Sequence, residues 1–352
     1  MILNITFLAP CKDLSGGIKV IATYANLLMD RGHQVTVVYP KTQQPALRKI
    51  KRLLIKTLNN QQDHLDTFRG RLLAVDTFNN QTVPPGDVLI ATAWETAEWA
   101  RDLSDAKGRK FYFIQGHEVW NGQKERVYAT LKLPFTKITI SSWLQTLLSE
   151  VSGDQDISLI SNGCDFVLNE EQALTSDRKY DVGMTYSLIP NKAADIGMGA
   201  MLKLAEHNPA LKFVMFGSES PEGNLPANLD VFVKPSRQHI GDIFQQTKIW
   251  MSSSYEEGFC LPCLEAMSSG AVVVSTDNKG VRDMIEDGQT GYLTTPGEML
   301  ELASRVNFLL EHPQSWQRMQ RASYFRSKAF SWEKSADMFN QVLTNTPLKK
   351  AA

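Results

Sequence analysis

The stretch from Ile249 to Ser275, IWMSSSYEEGFCLPCLEAMSSGAVVVS, decides the fold. Ile249 to Ser253 is a short apolar run ending in serines, and it reads as a buried strand. Glu256 to Leu261 follows as a loop at that strand's carboxyl end. Pro262 suits the first turn of a helix, where its missing N–H removes no hydrogen bond, and the helix runs to Ser269. Gly270 fits the left-handed residue that ends a helix, and Ala271 to Ser275 reads as the next strand. Strand, loop, helix and strand in this order form one βαβ unit of a parallel sheet. The loop N–H groups and the helix N-terminus make a partly positive pocket suited to phosphate or to sugar hydroxyls.

The same alternation extends in both directions. At the start of the chain, Ile2 to Ala9 reads as a strand and Pro10 to Gly17 as a turn-rich loop. A helical pattern through Ile18, Ile21, Ala22, Ala25, Leu28 and Met29 ends at Gly32, and Gln34 to Tyr39 is a second strand. Val88 to Ala93, Lys110 to Gln115 and Lys137 to Ser141 continue the strand pattern. Phe166 to Arg178 is polar and weakly periodic and reads as a linker. A second series of strands then follows at Tyr180 to Tyr186, Lys212 to Phe216, Leu229 to Val233, Ile249 to Ser253 and Ala271 to Ser275. From Glu298 onward the pattern is helical. Two successive doubly wound α/β domains place a ligand cleft between them, at the carboxyl ends of the strands.

Composition supports this reading. The chain has 352 residues, beyond the size at which one core usually stops growing, so two domains are the default. Hydrophobic residues make up 43% and charged residues 21%, an ordinary globular balance. A net charge of -1 gives no global signal for nucleic acid, and none is expected as a partner. The N-terminal apolar run lacks a basic leader and reads as a strand, not a signal peptide. No run approaches the roughly 18 apolar residues of a membrane span. Cytoplasmic location is the expectation, with association at the inner face of the membrane as an extension of it.

The four cysteines, Cys11, Cys164, Cys260 and Cys263, give no disulfide framework. Cys260 and Cys263 form a C-x-x-C pair, but zinc would need two further ligands at matching spacing. A redox pair would sit near the first βα turn of a thioredoxin-like unit, and this one lies late in the chain. Packing near a helix start is the favoured reading. No metal site is expected.

Glu257 and Glu265 are separated by seven residues, one on the loop and one on the helix. Ionised carboxylates accept hydrogen bonds from vicinal hydroxyls, which suits a ribose or hexose diol. Two glutamates alone would read as solvated side chains, but their surroundings are specific. The string EGFCLPCLEAMSSGAVVVS resembles the E-x7-E region of the family-4 retaining glycosyltransferases, enzymes of GT-B fold. The downstream KGVRDMIEDGQTGYL is similar to the hairpin segment that follows it there. The resemblance covers most of the chain, thinly over residues 40 to 110 and strongly from 249 to 293.

The resemblance implies a role for each matching position. Glu265 would bind the ribose hydroxyls of a donor nucleotide. Glu257, with the N–H groups of Gly258, Phe259, Cys260 and Leu261, would hold the donor sugar and its β-phosphate. Ser15-Gly16-Gly17 fits the family's Gly-rich turn, where Gly16 and Gly17 would let the backbone approach a diphosphate; an ordinary tight turn is the alternative. Lys192 matches a phosphate-binding lysine. Ser187 stands where the family often carries an arginine, one cation fewer on the leaving diphosphate. Cys260 replaces a Gly or Ser. His117, in FIQGHEVW, matches a histidine near the donor sugar, with Glu118 of lesser weight beside it. Asn162 to Asp165 resembles an N-G-x-D turn at the end of the N-terminal domain. Base recognition is expected from backbone groups near Lys234 to Ser236.

The expected fold is therefore α/β of GT-B type, two Rossmann-like doubly wound domains facing across a cleft. Residues 1–165 would form the acceptor-side domain, 166–178 the linker and 179–328 the nucleotide-sugar-binding domain. Residues 329–352 would form a helix crossing back to the first domain. The resemblance implies metal-independent transfer of a hexose-type sugar, with retention, from a UDP-sugar or GDP-sugar to a glycan, lipid-linked or small-molecule acceptor. Catalysis would rest on Glu257, Lys192 and His117, and domain closure would exclude water. A GT-B sugar-nucleotide epimerase and a non-catalytic nucleotide-sugar-binding partner subunit are the other readings. Finally, Leu47 to Leu58, LRKIKRLLIKTL, has a cationic amphipathic pattern. It reads either as a surface helix packing its leucines inward or as a contact with an anionic membrane or acceptor.

Overall fold

The computed structural model describes residues 1–41, 63–119, 123–166, 168–175 and 177–345. The basic stretch 47–58 lies outside them. The chain divides into two compact units, Met1–Ser161 with Glu333–Ala352, and Asn162–Trp332.

In the first unit seven strands form one parallel sheet: β1 (Asn4–Leu8), β2 (Gln34–Pro40), β3 (Arg71–Val75), β4 (Val88–Ala91), β5 (Arg109–Ile114), β6 (Thr136–Thr139) and β7 (Ile157–Leu159). Their spatial order is β3-β2-β1-β4-β5-β6-β7. The order reverses between β1 and β4, the switch point at which ligands of such sheets bind. Phe7, Leu8, Val37, Val38, Phe111 and Phe113 are fully buried, as a parallel sheet covered on both faces requires. The C-terminal helix Trp332–Asn345 supplies Phe339 to this core, its ring 4.6 Å from Tyr24 and 5.2 Å from Phe113. Polar contacts on the same unit hold the helix: His33 Nε2 lies 2.7 Å from Asn340 Oδ1, and Arg31 pairs with Glu333 and Asp337.

The second unit repeats the architecture with six parallel strands: β8 (Tyr180–Tyr186), β9 (Phe213–Gly217), β10 (Leu229–Val233), β11 (Thr247–Ser252), β12 (Val272–Thr276) and β13 (Gly291–Thr294). Their order is β10-β9-β8-β11-β12-β13, so the switch point falls between β8 and β11. Met184, Met201, Met251 and Val272 lie within one buried cluster. Gly270 ends the Leu261–Ser268 helix at φ +80°, and a Cβ there would run into the Ala173 carbonyl. Only glycine satisfies both conditions.

Several expectations need correction. The segment after the E-x7-E region is not a hairpin. It loops through residues 280–290 and enters β13, which pairs parallel to β12. β3, β7 and β13 were not anticipated. Gly16 and Gly17 are not in a turn ahead of the first helix; they are its first two residues, the helix spanning Gly16–Asp30. The stretch 166–178 falls within the second unit, where Asn169 caps a one-turn helix, Glu170–Ala173. Arg178 is buried and donates to the carbonyls of Ala173, Gln245, Thr247 and Ser269. Burial lowers its guanidinium to about 10.

Candidate functional site

The carboxyl ends of β8 and β11 frame a cavity of about 70 Å³ at the switch point of the second sheet. Thr185 and Ser187 come from the end of β8, Met251 to Ser254 from the end of β11, and Cys260 and Pro262 from the helix that follows. Lys192 and Glu257 complete the wall, and Lys192 is the one cation among the described residues that line it.

Local structure places this lysine. Pro190–Lys192 is a single 3-10 turn, and Ala193 at φ +44° redirects the chain into the helix Ala194–His207. The turn is tied to the loop after β11 at three points. Asn191 Nδ2 donates to the Glu256 carbonyl at 2.6 Å, the Tyr255 N–H to the Asn191 carbonyl at 2.9 Å, and Ser253 Oγ to the Lys192 carbonyl at 3.1 Å. Gly197 allows this packing, since a Cβ there would lie 2.9 Å from Met184 Sδ and 3.0 Å from Ser253 Oγ.

Lys192 and Glu257, expected in separate roles, form an ion pair. The ammonium donates to both carboxylate oxygens, at 2.6 and 2.8 Å, and Ser254 Oγ donates to the first of them at 2.7 Å. Burial, the largest influence, lowers the lysine; the charge of Glu257 and its hydrogen bonds, with smaller contributions from Cys260 and Cys263, together hold the ammonium above its ordinary value. The Glu257 N–H donates to the Asn278 carbonyl at 2.9 Å. Gly280 lies against the same backbone, and a Cβ there would be 2.6 Å from the Glu257 carbonyl oxygen and 2.8 Å from the Phe259 nitrogen. The loop of residues 277–280 thus braces the Glu257 loop from behind.

Cys260 opens the Leu261–Ser268 helix as its N-cap at φ +64°, a strained conformation for a residue with a side chain. Phe259 is buried, its ring 5.8 Å from Phe330, so it can offer a ligand only its main chain. The first N–H groups of a helix have no partner within it and carry the positive end of its dipole. Gly258 and Leu261 flank this helix start.

Glu265 departs from expectation in its partner. It is buried and paired with Arg237, which donates to both its oxygens, one of them at 3.3 Å, and to Asp165 at 2.9 Å. The guanidinium also stacks 4.1 Å from the Phe166 ring centroid. Burial would lower Arg237; Glu265 and then Asp165 raise it above its ordinary value. Asp165 in turn accepts from Trp332 Nε1 at 2.6 Å, so the N-G-x-D turn contributes a side chain to this cluster. Sequence reasoning missed Arg237. The only signal was Ser236, which caps the helix Arg237–Gln245 by accepting the His239 N–H at 3.2 Å and so fixes Arg237 in the first turn. Lys234 adopts φ +51° at the end of β10, leading into this cap.

The remaining expected residues lie on the first unit. Gly16 and Gly17 begin the helix after β1, and Gln115 Nε2 donates to the Gly17 carbonyl at 3.4 Å. Neither glycine has positive φ, and a Cβ at Gly16 would meet nothing within 4 Å. His117 Nε2 lies 3.3 Å from Tyr128 Oη, and its ring is 6.3 Å from that of Trp143. Glu118 Oε2 accepts the Trp94 N–H at 2.9 Å, and burial raises its carboxyl to about 7. Among the described residues no group of three or more His, Cys, Asp or Glu side chains is arranged to hold a metal, and no helix is long and apolar enough to cross a membrane.

Comparison with known proteins adds to this geometry. Residues 168–326 match the family model described as Glycosyl transferases group 1. The putative glycosyltransferase EpsD of Bacillus subtilis (strain 168) is 27% identical over 168 residues, 45% of this chain and 44% of that protein. The D-inositol 3-phosphate glycosyltransferase of Streptomyces avermitilis is 26% identical over 173 residues, 44% of this chain and 37% of the relative. The matched stretch thus spans less than half the length of these curated relatives. Among solved structures, Anabaena Alr3699/HepE in complex with UDP-glucose superposes with a TM-score of 0.73 at 17% identity, covering 98% of this chain and 100% of that one. TarM superposes with a TM-score of 0.72 at 13% identity, covering 98% and 99%. At such identity these likenesses speak to the fold. The chain has the GT-B type of fold, and its residues 168–326 match the Glycosyl transferases group 1 model.

Proposed function

We propose that this protein is a retaining, metal-independent glycosyltransferase that moves a hexose-type sugar from a UDP-sugar or GDP-sugar to a glycan, lipid-linked or small-molecule acceptor. The observation that carries the reading is the Lys192–Glu257 pair in a cavity at the switch point of the second sheet, beside a helix N-terminus. The reaction breaks the bond between the sugar C1 and the β-phosphate oxygen, and the diphosphate leaves with the electron pair. The acceptor oxygen forms the new bond to C1. Negative charge therefore develops on the diphosphate, and fixed positive groups lower the barrier most when aimed there.

An ammonium has three N–H donors, and two serve Glu257, which leaves one for a phosphate oxygen. The start of the Leu261–Ser268 helix supplies further partial positive charge without a metal. Glu257 orients the lysine and accepts from a sugar hydroxyl. Glu265 is the acceptor for ribose hydroxyls, with Arg237 orienting it. That the fold itself demands glycine at neither Gly16 nor Gly17 supports their assignment to close approach of a diphosphate. His117 is assigned to the donor sugar. The N-terminal basic stretch 47–58 is assigned to an anionic membrane or acceptor, which sedimentation with anionic vesicles tests.

The experiment is incubation with a panel of nucleotide sugars, with and without a chelator, following nucleoside diphosphate release and the anomeric configuration of the product by NMR. Release from one donor, with retention and without effect of the chelator, is the expected result. Isomerised nucleotide sugar would instead identify an epimerase. Binding without turnover would identify a nucleotide-sugar-binding partner subunit, the reading that Ser187, in place of an arginine, favours.

A further inference from the structure

Cys260 and Cys263 are placed for chemistry that neither the fold nor glycosyl transfer requires. Cys260 Sγ lies 3.0 Å from Cys263 Sγ, and both are free thiols. A disulfide holds its sulfurs at about 2.05 Å, so roughly 1 Å of travel separates this pair from a bond. The two differ in access: Cys260, 6% exposed, lines the cavity that Lys192 and Glu257 share, whereas Cys263 is fully buried and does not line it. Cys260 caps the Leu261–Ser268 helix, and Pro262 stands between the two cysteines. A cation, Lys192, faces the same cavity. The other cysteines have different surroundings: Cys11 Sγ donates to Asp13 at 3.2 Å and Cys164 Sγ lies 2.8 Å from Ser268 Oγ.

We propose that Cys260 and Cys263 are a modification site, a dithiol that a low-molecular-weight disulfide such as oxidised glutathione converts to an intramolecular disulfide through the cavity. The Cys260 thiolate attacks one sulfur of the small disulfide. The mixed disulfide forms, and the first small thiolate leaves and takes up a proton. Cys263 then loses its proton and attacks the Cys260 sulfur, which forms the Cys260–Cys263 bond and releases the second small thiol. The two protein thiols are oxidised by two electrons, and the small disulfide is reduced to two thiols. The order is set by access, because only Cys260 meets the cavity. The hydrogen bond with Cys260 and then burial raise the Cys263 thiol, so Cys260 reacts first and Cys263 resolves the adduct. Closing the bond changes the position of the Cys260 side chain, which lies 3.8 Å from Ser252 Oγ, and so alters the cavity wall.

The dithiol stands without the nucleotide-sugar reading; its link to ligand occupancy rests on that reading. The full chain is incubated with oxidised glutathione, quenched with acid, and analysed by intact mass and peptide mapping. Loss of two hydrogens with a mapped Cys260–Cys263 bond is expected, and in Cys263→Ser only a glutathione adduct on Cys260. A persistent adduct on Cys260 in the native protein, a bond to Cys11 or Cys164, or no reaction at Cys260 overturns the proposal. Capture of one phenylarsine oxide per unmodified chain, blocked by prior oxidation, checks the dithiol without any variant; no capture counts against it. Saturating UDP, its binding verified by calorimetry, is expected to slow disulfide formation at least tenfold. UDP that binds without slowing it overturns the link to the cavity, and failure of UDP to bind overturns the nucleotide reading while the mapped bond still decides the dithiol.

Discussion

Replacing Glu118 by glutamine reverses a cost built into the first unit. The carboxyl follows β5, beside His117, and its Oε2 accepts the Trp94 N–H that begins the helix Trp94–Arg101. Burial is the largest influence and raises it; the Trp94 N–H opposes this and Glu95 adds to it, with a net rise from 4.5 to about 7. The folded carboxyl therefore keeps its proton at a pH where the unfolded one has lost it. Between about pH 4.5 and 7 the folded state binds more protons, so stability falls as pH rises. At about 1.4 kcal/mol per pH unit the ceiling is about 3 kcal/mol. Because Glu118 keeps part of its surface in water, we expect about 2 kcal/mol. Glutamine keeps the acceptor for Trp94 and does not ionise. Urea denaturation of both proteins from pH 5 to 8 should show near-equal stability at pH 5 and Glu118→Gln the more stable by about 2 kcal/mol at pH 8. Curves that stay parallel across this range would refute the reasoning.

Three further outcomes follow from single contacts. Gly280→Ala sets a Cβ against the main chain at Glu257 and Phe259, which cannot yield as a flexible side chain would; calorimetric melting should show a loss of about 1–3 kcal/mol, together with weaker nucleotide binding. Arg237→Ala strips the buried Glu265 of its cation, and with Arg237 itself partly exposed we expect urea melts to show a loss of about 2–3 kcal/mol, larger than for Glu265→Gln, which leaves no buried charge behind. Gly16→Ala meets open space at the first position of a helix and should change stability by no more than about 0.5 kcal/mol, while titration shows nucleotide-sugar binding reduced at least tenfold; unchanged binding would remove Gly16 from the site.

The two-sheet architecture was legible where strands are rich in valine, as in Gln34–Pro40 and Val272–Thr276. It was illegible where a strand has three residues, as in Ile157–Leu159, or opens on glycine, as in Gly291–Thr294. Both acquire strand conformation from their neighbours in the sheet, information that no local pattern holds. The site divides in the same way. Pro262 and Gly270 mark the ends of the Leu261–Ser268 helix through their own backbone constraints, and so were readable. The partner of Glu265 was not, because Arg237 lies 28 residues away and at a helix start looks like a solvated residue. Lys192 and Glu257 were each identified, but their pairing across 65 residues depends on β8 and β11 being adjacent. Cys260 and Cys263 were visible as a motif; that their sulfurs face each other was not.

The most direct test is calorimetric titration of UDP-glucose and GDP-mannose into the protein and into Lys192→Met, with the fold of the variant checked by circular dichroism. Micromolar binding of one donor to the native chain, weakened at least tenfold by Lys192→Met, is the expected result. Equal affinity in the two proteins, or no binding of any nucleotide sugar by the native chain, would contradict the assignment of this cavity to a nucleotide-sugar diphosphate.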